Sequence, residues 1–243
     1  MGTKERRQRQ FAEREQLFLD TARHLIEEGG LLPLQMTRIA EAAEYAVGTL
    51  YQHFASKEDL LVALTTEGVR EHGALFQRVR DWNASPRDRM VALGVADMLF
   101  VRRHPQYFRI AQYVFCEVVW GAASAQRRQE MLEANEPLGE IVVSIVEEAV
   151  AAGDLEPRDM APMELAIGSW ALVVGTHNLV HAEGVLSDFD VREPYLLMCQ
   201  HIQALLNGYG WKPWADALDP AAMRALIDRI ISEVFDDLCP NHG

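Results

Sequence analysis

The residues best placed to do chemistry lie between Gly48 and Phe54. The run Gly48-Thr49-Leu50-Tyr51-Gln52-His53-Phe54 brings hydroxyls, an amide and an imidazole into seven positions. Such groups form hydrogen bonds to phosphate oxygens and to base edges. A second concentration is aromatic and sulfur-rich: Phe76, Trp82, Met98, Phe100, Tyr107, Tyr113, Phe115, Cys116, Trp120 and Trp170. A plain core accounts for most of these, but ligand pockets are lined the same way, with a few polar groups to fix orientation. Phe76, Met98, Arg102, Tyr113, Glu117, Trp120 and Trp170 form the candidate effector set. Within it Glu117 stands out, in Ile110-Ala111-Gln112-Tyr113-Val114-Phe115-Cys116-Glu117-Val118-Val119-Trp120. One continuous helix would set it on a face with Tyr113, Cys116 and Trp120. A buried carboxylate there requires an Arg partner (Arg102, Arg103 or Arg109), a ligand, or exposure. Asp97 is a weaker case of the same kind. His177 and His181 stand four residues apart, a spacing that suits a metal, but no carboxylate or Cys on that helix completes a set. A core or interface histidine is the simpler account, and no metal is expected.

The elements that must position these groups are helical throughout. Strand signals are nearly absent, so the fold class is all-α. Phe11, Phe18, Ala22 and Leu25 mark a first helix over about 10–28, stopped by Gly29-Gly30. Thr37 stands at an N-cap position before a short helix, and Val47, Leu50, Tyr51 and Phe54 mark the next. Two short helices joined by a tight turn make a helix-turn-helix. Leu50 and Phe54 would face Ile39, Ala40 and the first helix, leaving Gly48, Thr49 and Gln52 outward. A helical hairpin resting on a core gives the same pattern. Gly48 within a helix costs about 1 kcal/mol against Ala, a cost that close approach of another backbone would justify. Ser56 caps a long fourth helix. Further helices are expected at about 87–103, 106–121, 126–152, 163–182, 194–207 and 220–238. Ala166, Gly168 and Gly175 would let the uncharged helix at 163–182 approach a neighbour closely, as half of a four-helix dimer seam.

Length and charge narrow the reading. The 243 residues suffice for a sizeable core without disulfides. Three scattered cysteines, Cys116, Cys199 and Cys239, fit a reducing cytoplasm rather than a disulfide scaffold or zinc site. The longest uncharged stretch, Leu165 to Ala182, contains Ser169, Thr176, His177, Asn178 and His181, and reads as a buried helix, not a membrane span. The net charge of −13 falls entirely on residues 58–243; residues 1–57 hold eight basic and eight acidic side chains. A chain this acidic cannot bind nucleic acid through bulk charge. Any such contact must be local and N-terminal, where five of the first fourteen residues are basic and two acidic. On charge alone that start reads as a solvated terminus. No nucleophile elbow, phosphate loop, dinucleotide fingerprint or catalytic-cysteine context occurs, so neither an enzyme nor a cofactor is expected.

Residues 10–61 resemble the signature of TetR-family transcriptional regulators: Thr37 before Ile39-Ala40, then Gly48-Thr49-Leu50-Tyr51, His53-Phe54, and Ser56-Lys57-Glu58-Asp59-Leu60-Leu61. The resemblance implies a DNA-binding domain over 1–57 and an effector-binding, dimerising domain over 58–243. It implies a ligand-responsive repressor, released as a homodimer from a palindromic operator by a small molecule. Thr37 and Arg38 would touch phosphate; Val47, Gly48, Thr49 and Gln52 would face the major groove. Tyr51 and His53 would meet phosphate or base edges, Lys57 phosphate, and the early basic residues a neighbouring stretch of DNA. The chain departs from the family's turn. Glu44 replaces a Gly and Ala46 a capping residue, while Tyr45 is large enough to reach a phosphate. Glu44 would force a turn without positive φ. These departures are also what would favour the rival reading, a helical ligand-binding or adaptor protein that no longer reads DNA.

Overall fold

The computed structural model describes residues 2–238, which leaves Cys239 outside. Among these residues there are twelve α-helices, one 3₁₀ turn and no strand. They divide into two compact units, and the division is not at a single point of the chain. The first unit takes residues 2–70 together with 104–134; the second takes 71–103 and 135–238. Position 57, the sequence-based boundary, is the first residue of the fourth helix and lies inside the first unit.

The first unit holds α1 (Thr3–Gly29), α2 (Met36–Ala42), α3 (Val47–Tyr51) and the opening of α4 (Lys57–Asp81). It also holds α6 (Pro105–Val114), α7 (Glu117–Ala122) and the opening of α8 (Ala125–Ala151). Phe18, Ala22, Ile26, Ile39, Leu50, Phe54, Leu60, Leu61 and Met131 are buried, whereas Phe11, Val47 and Tyr51 of the apolar pattern read from the sequence are exposed. Burying each of the larger side chains contributes roughly 1.5–3 kcal/mol. Ser56 caps α4 as expected, its Oγ accepting from Asp59 N at 3.1 Å. Tyr107 lies flat against Gly68 of α4, where a Cβ would come within 1.9 Å of its ring.

Three boundaries differ from expectation. α1 starts at Thr3, so the early basic residues extend a helix and are not a loose arm. α2 starts at Met36 after Gln35, which puts Thr37 inside the helix and not at its cap. The helix expected over 106–121 breaks at Phe115-Cys116, where Cys116 turns extended before α7 begins at Glu117.

The second unit contains α5 (Pro86–Arg103), α9 (Pro162–His181), a short α10 (Val185–Asp188), α11 (Pro194–Gly208) and α12 (Pro220–Val234). The remainders of α4 and α8 complete it. α5, α9, α11 and α12 pack on one another around Val91, Val95, Val173, Met198, Ile202, Trp211 and Ile230. The close helix approach is at Gly94, where a Cβ would come within 2.7 Å of Ile202 Cδ1. Within the chain, Gly168 and Gly175 have ordinary or open surroundings. Arg87 runs through this core, donating to Trp211 O, Gln203 O and Asn207 Oδ1 at 2.9, 3.2 and 2.6 Å.

Candidate nucleic-acid interface

The turn before α3 closes in spite of its unusual residues. Glu44 adopts φ +60°, the left-handed conformation that a Gly would take freely. The expectation of a turn without positive φ is therefore wrong, because the Tyr45 N–H to Ala40 O bond at 2.9 Å fixes the path whatever residue stands at 44. Ala46 precedes α3 with extended backbone and no side-chain cap. The start of α3 therefore leaves amide donors free for another acceptor. Tyr45 is held from two sides, edge-on to Phe18 at 5.4 Å and under the Arg14 guanidinium at 5.6 Å.

Leu50 is buried beneath α3, and the other face is open. Val47, Gly48, Tyr51 and Gln52 are exposed and Thr49 is half-exposed. Thr37, Arg38 and Tyr45 are exposed on the adjoining segment. No protein atom lies within 4 Å of a Cβ built on Gly48. The fold therefore does not require a glycine there. A side chain at that position would enter open space.

Two expected contacts lie elsewhere. The His53 side chain has 0% exposure: its ring stacks on Phe11 at 3.8 Å, meets Phe18 edge-on, and sets Nδ1 3.4 Å from Glu15 Oε2. Burial pushes its pKa below the usual histidine value despite the adjacent carboxylate. His53 is a packing residue under the helix, not a group offered to phosphate. Lys57 is half-buried, and its Nζ donates to Leu31 O and Leu32 O at 3.3 and 3.4 Å, tying the α1–α2 turn to α4.

The effector candidates are divided between the two units. Phe76 and Met98 are buried in the second unit, with Arg102 exposed there and its guanidinium over the Tyr195 ring at 4.8 Å. Trp170, on α9, is 62% exposed. Tyr113, Glu117 and Trp120 belong to the first unit. Glu117 is exposed in the first turn of α7. The premise of a carboxylate buried among aromatic rings fails, because the break at Cys116 turns Glu117 to solvent. Trp120 is half-buried and stacks with Phe115 at 5.7 Å.

A polar group that sequence reasoning did not assemble lies inside the second unit. His177 Nδ1 is 3.3 Å from Tyr195 Oη, and burial pushes the His177 pKa down to about 4. His72 Nε2 lies 3.1 Å from Asp97 Oδ1, off the hydrogen-bonding direction, and its ring stacks on Phe100 at 4.7 Å. His181 donates from Nδ1 to His177 O at 2.9 Å. No group of three or more metal-ligating side chains occurs among the described residues. Asp97 and the pair His177 and His181 stand out in the sequence; His72 does not. Only the packing of α4, α5, α9 and α11 brings them near each other.

Residues 9–64 match the family model described as bacterial regulatory proteins, tetR family. The match covers the N-terminal helix-turn-helix segment, which is similar to the DNA-binding domain of that family. The segment is similar to the HTH-type transcriptional repressor KstR of Rhodococcus jostii, 47% identical over 51 residues. Those residues are 21% of this chain and 24% of that repressor, so the chain matches about a quarter of its relative's length. The fold is shared more widely. A tetR-family regulatory protein from Rhodococcus RHA1 superposes with a TM-score of 0.61 at 16% identity, covering 82% of this chain and 98% of the other. FadR from Bacillus subtilis, solved in complex with stearoyl-CoA, gives 0.60 at 17%, covering 79% and 98%. The TetR-family domain thus supplies α1 to the start of α4, and the all-helical architecture beyond it recurs in structures of low sequence identity. No helix among the described residues is long and apolar enough to cross a membrane.

Proposed function

We propose that this protein is a ligand-responsive transcriptional repressor that binds a palindromic operator in double-stranded DNA as a homodimer. The observation that carries the reading is the open face of α3. A short helix with a buried Leu50 presents Val47, Gly48, Thr49, Tyr51 and Gln52 outward, around a glycine that its own fold does not need. Residues 1–57 carry the DNA-reading surface, with Thr37, Arg38 and Tyr45 on phosphate, and residues 58–243 carry effector binding and dimerisation. A second-unit effector site would be built on Phe76, Met98 and Arg102 near the His177–Tyr195 pair. Two features support a dimer. Ile167, Trp170 and Val174 expose an apolar stripe on α9, and Leu197 is exposed on α11, the helix packed beside it. Such unpartnered apolar surface marks an interface.

Selection from a random DNA pool tests the reading. Two half-sites are expected, their centres about 34–36 Å apart or at a multiple of that. Gln52→Ala and Thr49→Ala relax base preference at one position of each half-site. A protein that selects no sequence at physiological salt refutes the reading.

A further inference from the structure

We infer that Arg127, 73 residues beyond the recognition motif, is the positioning residue that holds the C-terminal end of α3. The inference rests on the reading of α3 as the DNA-contacting helix.

Arg127 stands on the third residue of α8, and its side chain is 13% exposed. Its Nη2 donates to Glu15 Oε1 at 2.9 Å and to the His53 backbone carbonyl at 3.1 Å. Its Nη1 donates to Glu130 Oε2 at 2.8 Å, and the guanidinium plane lies over the Phe54 ring, 5.0 Å from its centre. His53 directly follows Gln52, the last residue of α3's final turn. The carbonyl that Arg127 takes belongs to the first residue past the C-cap of α3. The other oxygen of Glu15 faces the His53 ring. One guanidinium thus fixes the backbone of residue 53 and, through Glu15, the side chain of the same residue. Planar fork geometry is what makes this possible; a lysine ammonium is a point donor and cannot span the same three acceptors.

The corner is held a second time nearby. Ser124 N donates to Asp59 Oδ1 at 2.6 Å, so the residue that opens α8 is also bonded to the first turn of α4. The recognition helix is five residues long and has no side-chain cap at its start. An element so short depends on tertiary contacts for its orientation. α8 runs from Ala125 to Ala151 with Pro137 inside it. Arg127 joins the first turn of α8 to the base of α3, so a displacement of that turn is felt by the helix that meets DNA.

The test uses the full chain and the duplex that wild type selects from the random pool. Affinity is measured over a series of salt concentrations for Arg127→Gln, Glu15→Gln and the double variant. Arg127→Gln is expected to weaken binding about tenfold, which is about 1.4 kcal/mol, with the slope of log affinity against log salt unchanged. A direct phosphate contact would instead lower that slope by about one. The double variant is expected to be no weaker than Arg127→Gln alone, because both changes break one network. If circular dichroism shows that Arg127→Gln does not fold, Glu15→Gln decides: a several-fold loss at constant slope supports the inference. Binding within twofold of wild type for the folded variants overturns it, as does a reduced slope. Wild type selecting no sequence would defeat the DNA-binding reading itself and this inference with it, whereas wild type binding alongside unaffected variants defeats this inference alone.

Discussion

Removing the Asp59 carboxylate should cost more stability than any exposed substitution in the first unit. Asp59 is 3% exposed and accepts two backbone bonds, from Ala55 N at 3.1 Å through Oδ2 and from Ser124 N at 2.6 Å through Oδ1. Hydrogen bonds to a charged group contribute about 1.5–3 kcal/mol each. The Ala55 bond spans four residues and lies near solvent, so it belongs at the low end. The Ser124 bond links segments 65 residues apart and belongs at the high end. Asp59→Ala leaves both donors without their acceptor, for a loss of about 3–5 kcal/mol. That is a large part of the about 5–15 kcal/mol that stabilises a typical protein. Asp59→Asn keeps one acceptor oxygen and turns an amide donor toward the other N–H, so about half the loss should remain. Urea unfolding followed by far-ultraviolet circular dichroism reads this as a lower midpoint at constant slope. A chain of two units can unfold in more than one step, in which case the shift belongs to the transition that carries α1 to α4. A midpoint for Asp59→Ala within about 1 kcal/mol of wild type would refute the reasoning.

Val174 is 38% exposed on the apolar stripe of α9; Val174→Asp should cost several kcal/mol if the stripe is buried between two copies. Sedimentation should then show monomers, and an unchanged dimer would place the seam elsewhere. His177 is held neutral in the fold, with its pKa pushed down to about 4 from 6.5 by burial. Its contribution is complete above pH 6.5 and is lost as pH falls toward 4, because in that window the unfolded chain binds the extra proton. A span of about 2.5 pH units at about 1.36 kcal/mol each caps the loss at about 3 kcal/mol. Melting temperatures across pH 4–7 should flatten in His177→Gln. Glu44→Gly relieves a left-handed backbone worth about 1–2 kcal/mol against a glycine entropy cost of about 0.5–1 kcal/mol. The variant should gain up to about 1.5 kcal/mol of stability in urea unfolding, and a net loss would mean that the Glu44 side chain matters where it lies.

The recognition helix was legible because its pattern is local. Leu50 and Phe54 had to be buried together, and the open side of α3 followed from their spacing. The break at Phe115-Cys116 was not legible, since no Gly or Pro marks it, and the reading of Glu117 as a buried carboxylate fell with it. His53 misled for a related reason. A polar side chain beside outward-facing neighbours looked accessible, but the stacking partner that buries it, Phe11, is 42 positions earlier. Arg127, Asp59 and Ser124 were ordinary polar residues in the sequence. Their role depends on chain segments that meet only when α8 returns to α1 and α4, and no periodicity signals that return.

The first unit's discontinuity sets a rule for recombination. A crossover near residue 57 or 64, where the recognisable motif ends, would transplant α1 to α3 without the Arg127 that bonds to Glu15 and to the His53 carbonyl. A chimera cut there would keep every outward-facing residue of α3 and lose what orients them. Exchange of DNA preference between such proteins should therefore succeed by replacing α3's outward side chains in place. Moving the N-terminal block whole should succeed only when residues 104–134 travel with it.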